Sequence, residues 1–187
     1  AGIYYYIYST LAWGFAIGIQ IIVARRLGEG RLDRIGVIFE HGLFFVLFLS
    51  TGLFLIQHYF TNDILARIIQ SPNIYAAAVE YMDYRHYGII FVCFNFLFRS
   101  LYIGLSDTKV ISFTTAIMAM VNIFLDYVLI FGKFGFPALG IAGAAIASSI
   151  SEAVSVLFFI IYTWKKIDYK KYAMFSFTGI DFRMLKQ

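Results

Sequence analysis

Residues 3–24 contain no charged side chain. An α-helix needs roughly 20 mostly apolar residues to cross the hydrocarbon core of a bilayer. Four further runs of that kind follow, at about residues 35–60, 74–104, 110–132 and 139–164. The third is the weakest: its strongly apolar part begins only near Tyr87, and Arg99 interrupts it. Inside hydrocarbon every backbone N–H and C=O must be bonded within its own segment, so runs of this length are expected to be helices. The expected fold class is all-α, a polytopic transmembrane helix bundle of five spanning helices, with residues 165–187 as a cytoplasmic linker.

Composition excludes a water-facing globule. Soluble domains are about a quarter charged, whereas this chain is 61% hydrophobic and 14% charged. Its net charge of +4 is no nucleic-acid signal, because the basic residues fall in short segments between apolar runs. The lone Cys93 permits neither an internal disulfide nor a cysteine metal site. The chain starts without methionine and lacks a basic segment ahead of its first apolar run, so it reads as a fragment or a processed piece.

Five crossings place alternate connections on the same side. One side collects Arg25, Arg26, Arg31, Arg34, Arg99, Lys109, Lys165, Lys166, Lys170, Lys171, Arg183 and Lys186. The other holds Arg67, Arg85 and Lys133. The positive-inside rule makes the first side cytoplasmic. Tyr4, Tyr5, Tyr6 and Tyr8 at the outer end of the first run, and Trp164 at the inner end of the last, read as interfacial anchors. Residues 61–86 are more polar, with Glu80, Asp83 and Arg85 suggesting an exposed extension of the third span. His58 and His86 fall in loop or interface positions. Glu40 and His41 lie within reach of the cytoplasmic interface, and Arg99 within snorkelling distance of it.

Small residues predict where helices approach closely. Thr10, Gly14 and Gly18 recur at intervals of four in the first run, as do Gly140, Ala144, Ser148 and Glu152 in the fifth. The short, glycine-rich stretch "GKFGFPALG" predicts a tight hairpin joining the fourth and fifth spans as antiparallel neighbours.

Polar residues inside the spans are the candidate functional groups. Asn122 and Asp126 are four apart and share a helix face. At 1.5 Å per residue Asn122 lies about 15 Å, and Asp126 roughly 9 Å, below the outer end of their helix. Ser148 on the next helix lies about 13 Å below its own outer end. Asn122 and Ser148 are thus near the same depth, and with Asp126 one turn away a carboxylate, an amide and a hydroxyl can converge as hard oxygen ligands for a small cation, Na⁺ at Asp126, or a docking point for a proton. An ionised Asp in mid-membrane costs roughly 2.5–3.5 kcal/mol on insertion scales, and such groups mark ion pathways. The alternative is that Asp126 only bridges helices. Glu152, about 20 Å deep, is either functional or bonded to Ser148 or Ser149. Gln20 is either a substrate contact or a cross-helix hydrogen bond.

Three stretches carry a resemblance. "GFAIGIQIIVARRLGEGRLDRIG", "FRSLYIGLSDTKV" and above all "VNIFLDYVLIFGKFGFPALGIAGAAIASSIS" are similar to the multidrug and toxic compound extrusion (MATE) transporters. The resemblance implies a twelve-helix exporter of two six-helix lobes, with this chain as helices two to six of the N-terminal lobe and a linker toward helix seven. It implies a bacterial cytoplasmic (inner) membrane location, small-molecule drug substrates, Na⁺ or H⁺ as coupling ion, no cofactor and no enzymatic activity. The family's cation site would fall on Asn122, Asp126 and Ser148. The family's first helix adds a further aspartate; neither that helix nor the C-terminal lobe lies in this sequence. A lipid-linked oligosaccharide flippase of the same superfamily would need more cationic side chains in the spans than Arg99. A structural membrane subunit would leave Asp126 and Glu152 unexplained. A membrane enzyme would need a clustered nucleophile, base or metal set, and no histidine matches the depth of Ser148, Ser149, Ser151 and Glu152.

Overall fold

The computed structural model describes residues 1–167 and 169–174. Among these, six long helices and one short one form the structure: α1 (Gly2–Gly28), α2 (Asp33–Ile68), α3 (Pro72–Arg85), α4 (Gly88–Gly104), α5 (Thr108–Phe131), α6 (Gly140–Lys166) and α7 (Tyr169–Tyr172). The part of the expected linker beyond residue 174 lies outside the described residues. Helices α1, α2, α5 and α6 are each long and apolar enough to cross a membrane. Helices α3 and α4 reach that length only together, and they meet at a bend of 59°. The chain is an all-α membrane bundle.

Helix α4 is the hub. It packs against α1, α2 and α6, and its Ile89, Leu97, Leu101 and Tyr102 are almost wholly buried with Val23, Ile35, Phe39 and Phe159. The polar members of this core bond locally. Tyr102 Oη donates to Thr163 Oγ1 at 2.7 Å, and Thr163 in turn donates to the Phe159 carbonyl. Helix α5 joins the bundle chiefly through α6, with Val128 and Leu129 against Ala147 as a second, smaller core. The two form a hairpin closed by Leu139 N–H donating to the Leu129 carbonyl at 2.8 Å. The opposite face of α5, including Ile123, Phe124 and Phe131, is exposed, as suits a surface turned to lipid or to another part of a larger bundle.

The small-residue faces differ from those expected. Gly14 and Gly18 have open space where a side chain would be, so that face of α1 packs against nothing among the described residues. On α6 the close-contact line is Gly143, Ala147, Ser151 and Ser155, all buried, while Ala144 and Ser148 are only half-buried. A Cβ on Gly143 would come within 2.7 Å of the Leu129 carbonyl oxygen. Two rows of small residues lie side by side on α6, so spacing alone does not choose between them.

The break between α3 and α4 has a local cause other than proline. Pro72 opens α3 at its first turn, where its missing N–H costs nothing. Helix α3 stops at Arg85, and α4 restarts at Gly88, pressed against α6. A Cβ on Gly88 would lie 2.8 Å from both Glu152 Oε2 and Ser149 Oγ, and against the Arg85 guanidinium. Only glycine lets α4 begin so close to a charged pair.

Candidate functional site

Helix α5 places Asn122 and Asp126 one turn apart and half-buried. Asn122 Nδ2 and Asp126 Oδ1 are both fully shielded from solvent, and neither has a hydrogen-bond partner among the described residues. Buried polar atoms are nearly always paired, because an orphaned one costs about 1–3 kcal/mol. Among the described residues Asp126 Oδ1 thus bridges to no other helix. Ser148 sits half-buried on α6, the helix packed most closely against α5; hydrogen bonds do not join it to Asn122 or Asp126. The donor chemistry suits a hard cation: a carboxylate, an amide oxygen and a hydroxyl, all oxygen. No cluster of three or more His, Cys, Asp or Glu residues converges elsewhere among the described residues.

Glu152 has a partner that spacing did not reveal. Arg85, at the end of α3, forms a two-pronged ion pair with it: Arg85 Nη1 donates to Glu152 Oε2 at 2.8 Å, and Nη2 to Oε1. The side chains are 7% and 13% exposed. Nη1 also reaches Ser149 Oγ at 3.4 Å, and the guanidinium lies 3.9 Å from the centre of the Tyr5 ring. Asn95 of α4 completes the cluster. Its Nδ2 donates to the Glu152 backbone carbonyl at 3.0 Å, while its Oδ1 accepts from Ser155. Four helices thus meet at one polar knot. Arg85 is correspondingly not on an exposed extension, and Glu152 bonds neither Ser148 nor Ser149. Tyr5 is buried beneath the guanidinium, and Tyr4 Oη bonds Tyr8 and Thr61 at 3.0 and 3.2 Å, so neither Tyr4 nor Tyr5 is an interfacial anchor. No sequence signal connects positions 67 residues apart. The one available clue was that a lone Arg near a membrane span demands a counter-charge.

His86, next to Arg85, is also buried rather than interfacial. Its Nδ1 donates to the Met82 carbonyl at 2.8 Å, which leaves Nε2 to accept from His58 Nδ1 at 3.3 Å. Two of the three histidines therefore meet. Glu40 is buried on α2 instead of reaching the interface, and His41 bonds the Val37 carbonyl at 2.7 Å.

Gln20 and Arg99 line one cavity of about 380 Å³ between α1 and α4, with Tyr6, Ser9, Thr10, Trp13, Phe96 and Ser100 among its walls. Arg99 is half-buried there. On the segment between α1 and α2, Glu29 bonds Arg26 at 2.8 Å and Arg25 at 2.9 Å. These two guanidinium groups, Arg26 foremost, hold its carboxyl below the usual glutamate range.

A family model described as MatE matches residues 1–128. The chain belongs to the MatE family. The matched region contains Asn122 and Asp126; Ser148 and Glu152 lie beyond it. Among its relatives, a protein of Agrobacterium fabrum named probable multidrug resistance protein NorM is 27% identical over 94% of this chain and 37% of its own length. A Synechocystis protein of the same name is 32% identical over 93% of this chain and 38% of its own. This MatE chain therefore spans well under half the length of these relatives. Two solved structures share its fold, an inward-facing and an outward-facing conformation of a multidrug resistance MATE family transporter. Their TM-scores are 0.85 and 0.84 at 22% and 23% identity; they cover 98% and 99% of this chain, which covers 41% of each.

Proposed function

We propose that this chain forms most of one lobe of a secondary active exporter, with Asp126 as the group that takes up the coupling ion. The observation that carries the reading is the shielded, unpartnered Asp126 carboxylate oxygen on a spanning helix, one turn from an equally unpartnered Asn122 amide. Na⁺ or H⁺ would meet Asp126 first, with the Asn122 and Ser148 oxygens supplementing it. Such an ion biases the transporter only by its different affinity for the two access states. The cargo is small cationic or amphipathic compounds, in keeping with the multidrug resistance names of the relatives. The membrane is the bacterial cytoplasmic membrane, with the strongly basic connections inside. Remaining partners are lipid, a preceding helix and a second lobe. A flippase for pyrophosphate-linked cargo is not favoured. Within the apolar part of the spans the basic side chain is Arg99, and Arg85, just ahead of that stretch, is already neutralised by Glu152.

The test is Asp126→Asn in a full-length transporter carrying this sequence, reconstituted in vesicles with the Na⁺ and H⁺ gradients imposed separately. Gradient-driven efflux of a cationic dye should be lost while the protein still inserts. Undiminished coupled efflux refutes the assignment.

A further inference from the structure

A separate groove of about 300 Å³ runs between α1 and α2 at the strongly basic end of the bundle. Helical rise orders its lining by depth. Arg26 and Arg25 lie about 3–5 Å from that end of α1, His41 about 12 Å from the same end of α2, and Phe15 and Phe45 about 20 and 18 Å down. The two guanidinium groups thus stand at headgroup level. From Arg25 to Phe15 the groove descends about 15 Å, half of a hydrocarbon core roughly 30 Å thick. Its inner end carries Phe15 stacked on Phe45, ring centres 4.0 Å apart. Gly18 forms part of one side, where a Cβ would meet nothing within 4 Å. Among the described residues no carboxylate lines the groove. Glu29 bonds both arginines, yet Arg25 engages it through Nε and keeps its side chain 71% exposed. Residues 25–34 together hold four arginines against two acids.

We infer that this groove holds one anionic phospholipid of the cytoplasmic leaflet, its phosphate on Arg25 and Arg26 and one acyl chain along Gly18 down to Phe15 and Phe45. The planar guanidinium fork matches phosphate oxygens. The cytoplasmic leaflet is the one that supplies anionic lipid, and basic pockets between helices on that side suit such headgroups. A covering helix from another part of the protein would bury the two guanidinium groups and need acids of its own beside them. A lipid brings a fixed negative charge and then an apolar tail, in the order the groove presents them. The lipid is a resident that joins α1 to α2, not cargo. The inference stands on the orientation of the helices in the membrane and is independent of which ion or compound the transporter carries.

The experiment titrates the full-length transporter carrying this sequence, in detergent, with dioleoyl phosphatidylglycerol or dioleoyl phosphatidylcholine, which share their chains and differ in net charge. Native mass spectrometry reads the affinity for the first lipid retained. Wild type should prefer phosphatidylglycerol. Arg25→Gln should weaken that lipid about fivefold, and Arg25→Gln with Arg26→Gln on the order of twentyfold, with phosphatidylcholine within about twofold. Glu29→Gln removes the competing acid and should tighten phosphatidylglycerol about fivefold, although the segment loses two ion pairs; a merely structural role for these arginines predicts no tightening. Gly18→Leu fills the open side of the groove and leaves both arginines in place. It should bring phosphatidylglycerol down to the affinity of phosphatidylcholine, which attraction to surface charge alone would not do. If the double variant does not fold, Arg25→Gln and Gly18→Leu carry the comparison. Equal affinity of wild type for the two lipids, equal effects of the variants on both, or no effect of Gly18→Leu overturns the inference. So does displacement of the lipid by free glycerol 3-phosphate, since the chain then contributes nothing. Wild type that retains no lipid also overturns it, the groove then being covered by another part of the protein. None of these results bears on Asp126, which the efflux assay reads.

Discussion

Replacing Glu152 by Gln keeps the size of the side chain and removes its charge, leaving Arg85 buried with half of its bonding. Breaking a buried ion pair by deleting one partner costs roughly 3–5 kcal/mol. Two features place this case at the low end. The Gln amide oxygen still accepts one guanidinium N–H, and the Tyr5 ring, 3.9 Å from the guanidinium, retains a cation–π contact worth about 0.5–2 kcal/mol. A loss of about 3 kcal/mol is expected, on the order of a hundredfold in the unfolding equilibrium. The assay is equilibrium unfolding in mixed micelles, monitored by tryptophan fluorescence. Arg85→Gln combined with Glu152→Gln is the decisive partner variant, because it leaves no buried charge unpaired and the two amides can hydrogen-bond each other. It should regain most of the lost stability. The reasoning is refuted if the single variant is within about 0.5 kcal/mol of wild type, or if the double variant is no more stable than the single.

Two other expectations concern the start of α4 and the connection between α1 and α2. Gly88→Ala puts a methyl group where Glu152, Ser149 and Arg85 already sit; overpacking of this kind costs about 1–3 kcal/mol, which a thermal midpoint in detergent would detect, and an unchanged midpoint would show the bend is not held by that contact. Glu29 has a folded pKa below its unfolded value, so its stabilisation is fully present above the ordinary glutamate pKa of about 4.3 and is lost as pH falls through the lower folded value. Amide exchange at the end of α1, corrected for intrinsic rates, should therefore stay constant from about pH 7 to 5 and quicken only in more acid solution.

The apolar runs were legible because a bilayer imposes a length on them that no soluble core demands. Their interiors were less so. Asn122 and Asp126 stood out as a pair since both lie on one helix, where a spacing of four fixes a shared face. Arg85 and Glu152 come from different helices, and no periodicity relates them. Arg85 also sits just ahead of the apolar part of its span, which made it look like a boundary charge. The same difficulty hid the burial of Tyr4 and Tyr5: an aromatic near a helix end fits an interfacial belt or a tertiary contact equally well. On α6, glycine, alanine and serine fill two adjacent rows, and only the position of Leu129 across the hairpin decides which row is pressed inward.

The order in which the chain is made gives the polar knot a consequence for assembly. Arg85 leaves the ribosome 67 residues before Glu152, a delay of roughly 3–13 s at ordinary synthesis rates of about 5–20 residues per second. Throughout that interval the third crossing holds a bare cation at the edge of its apolar stretch. Its stable release into lipid must wait for α6, so this crossing is inserted early and settled late.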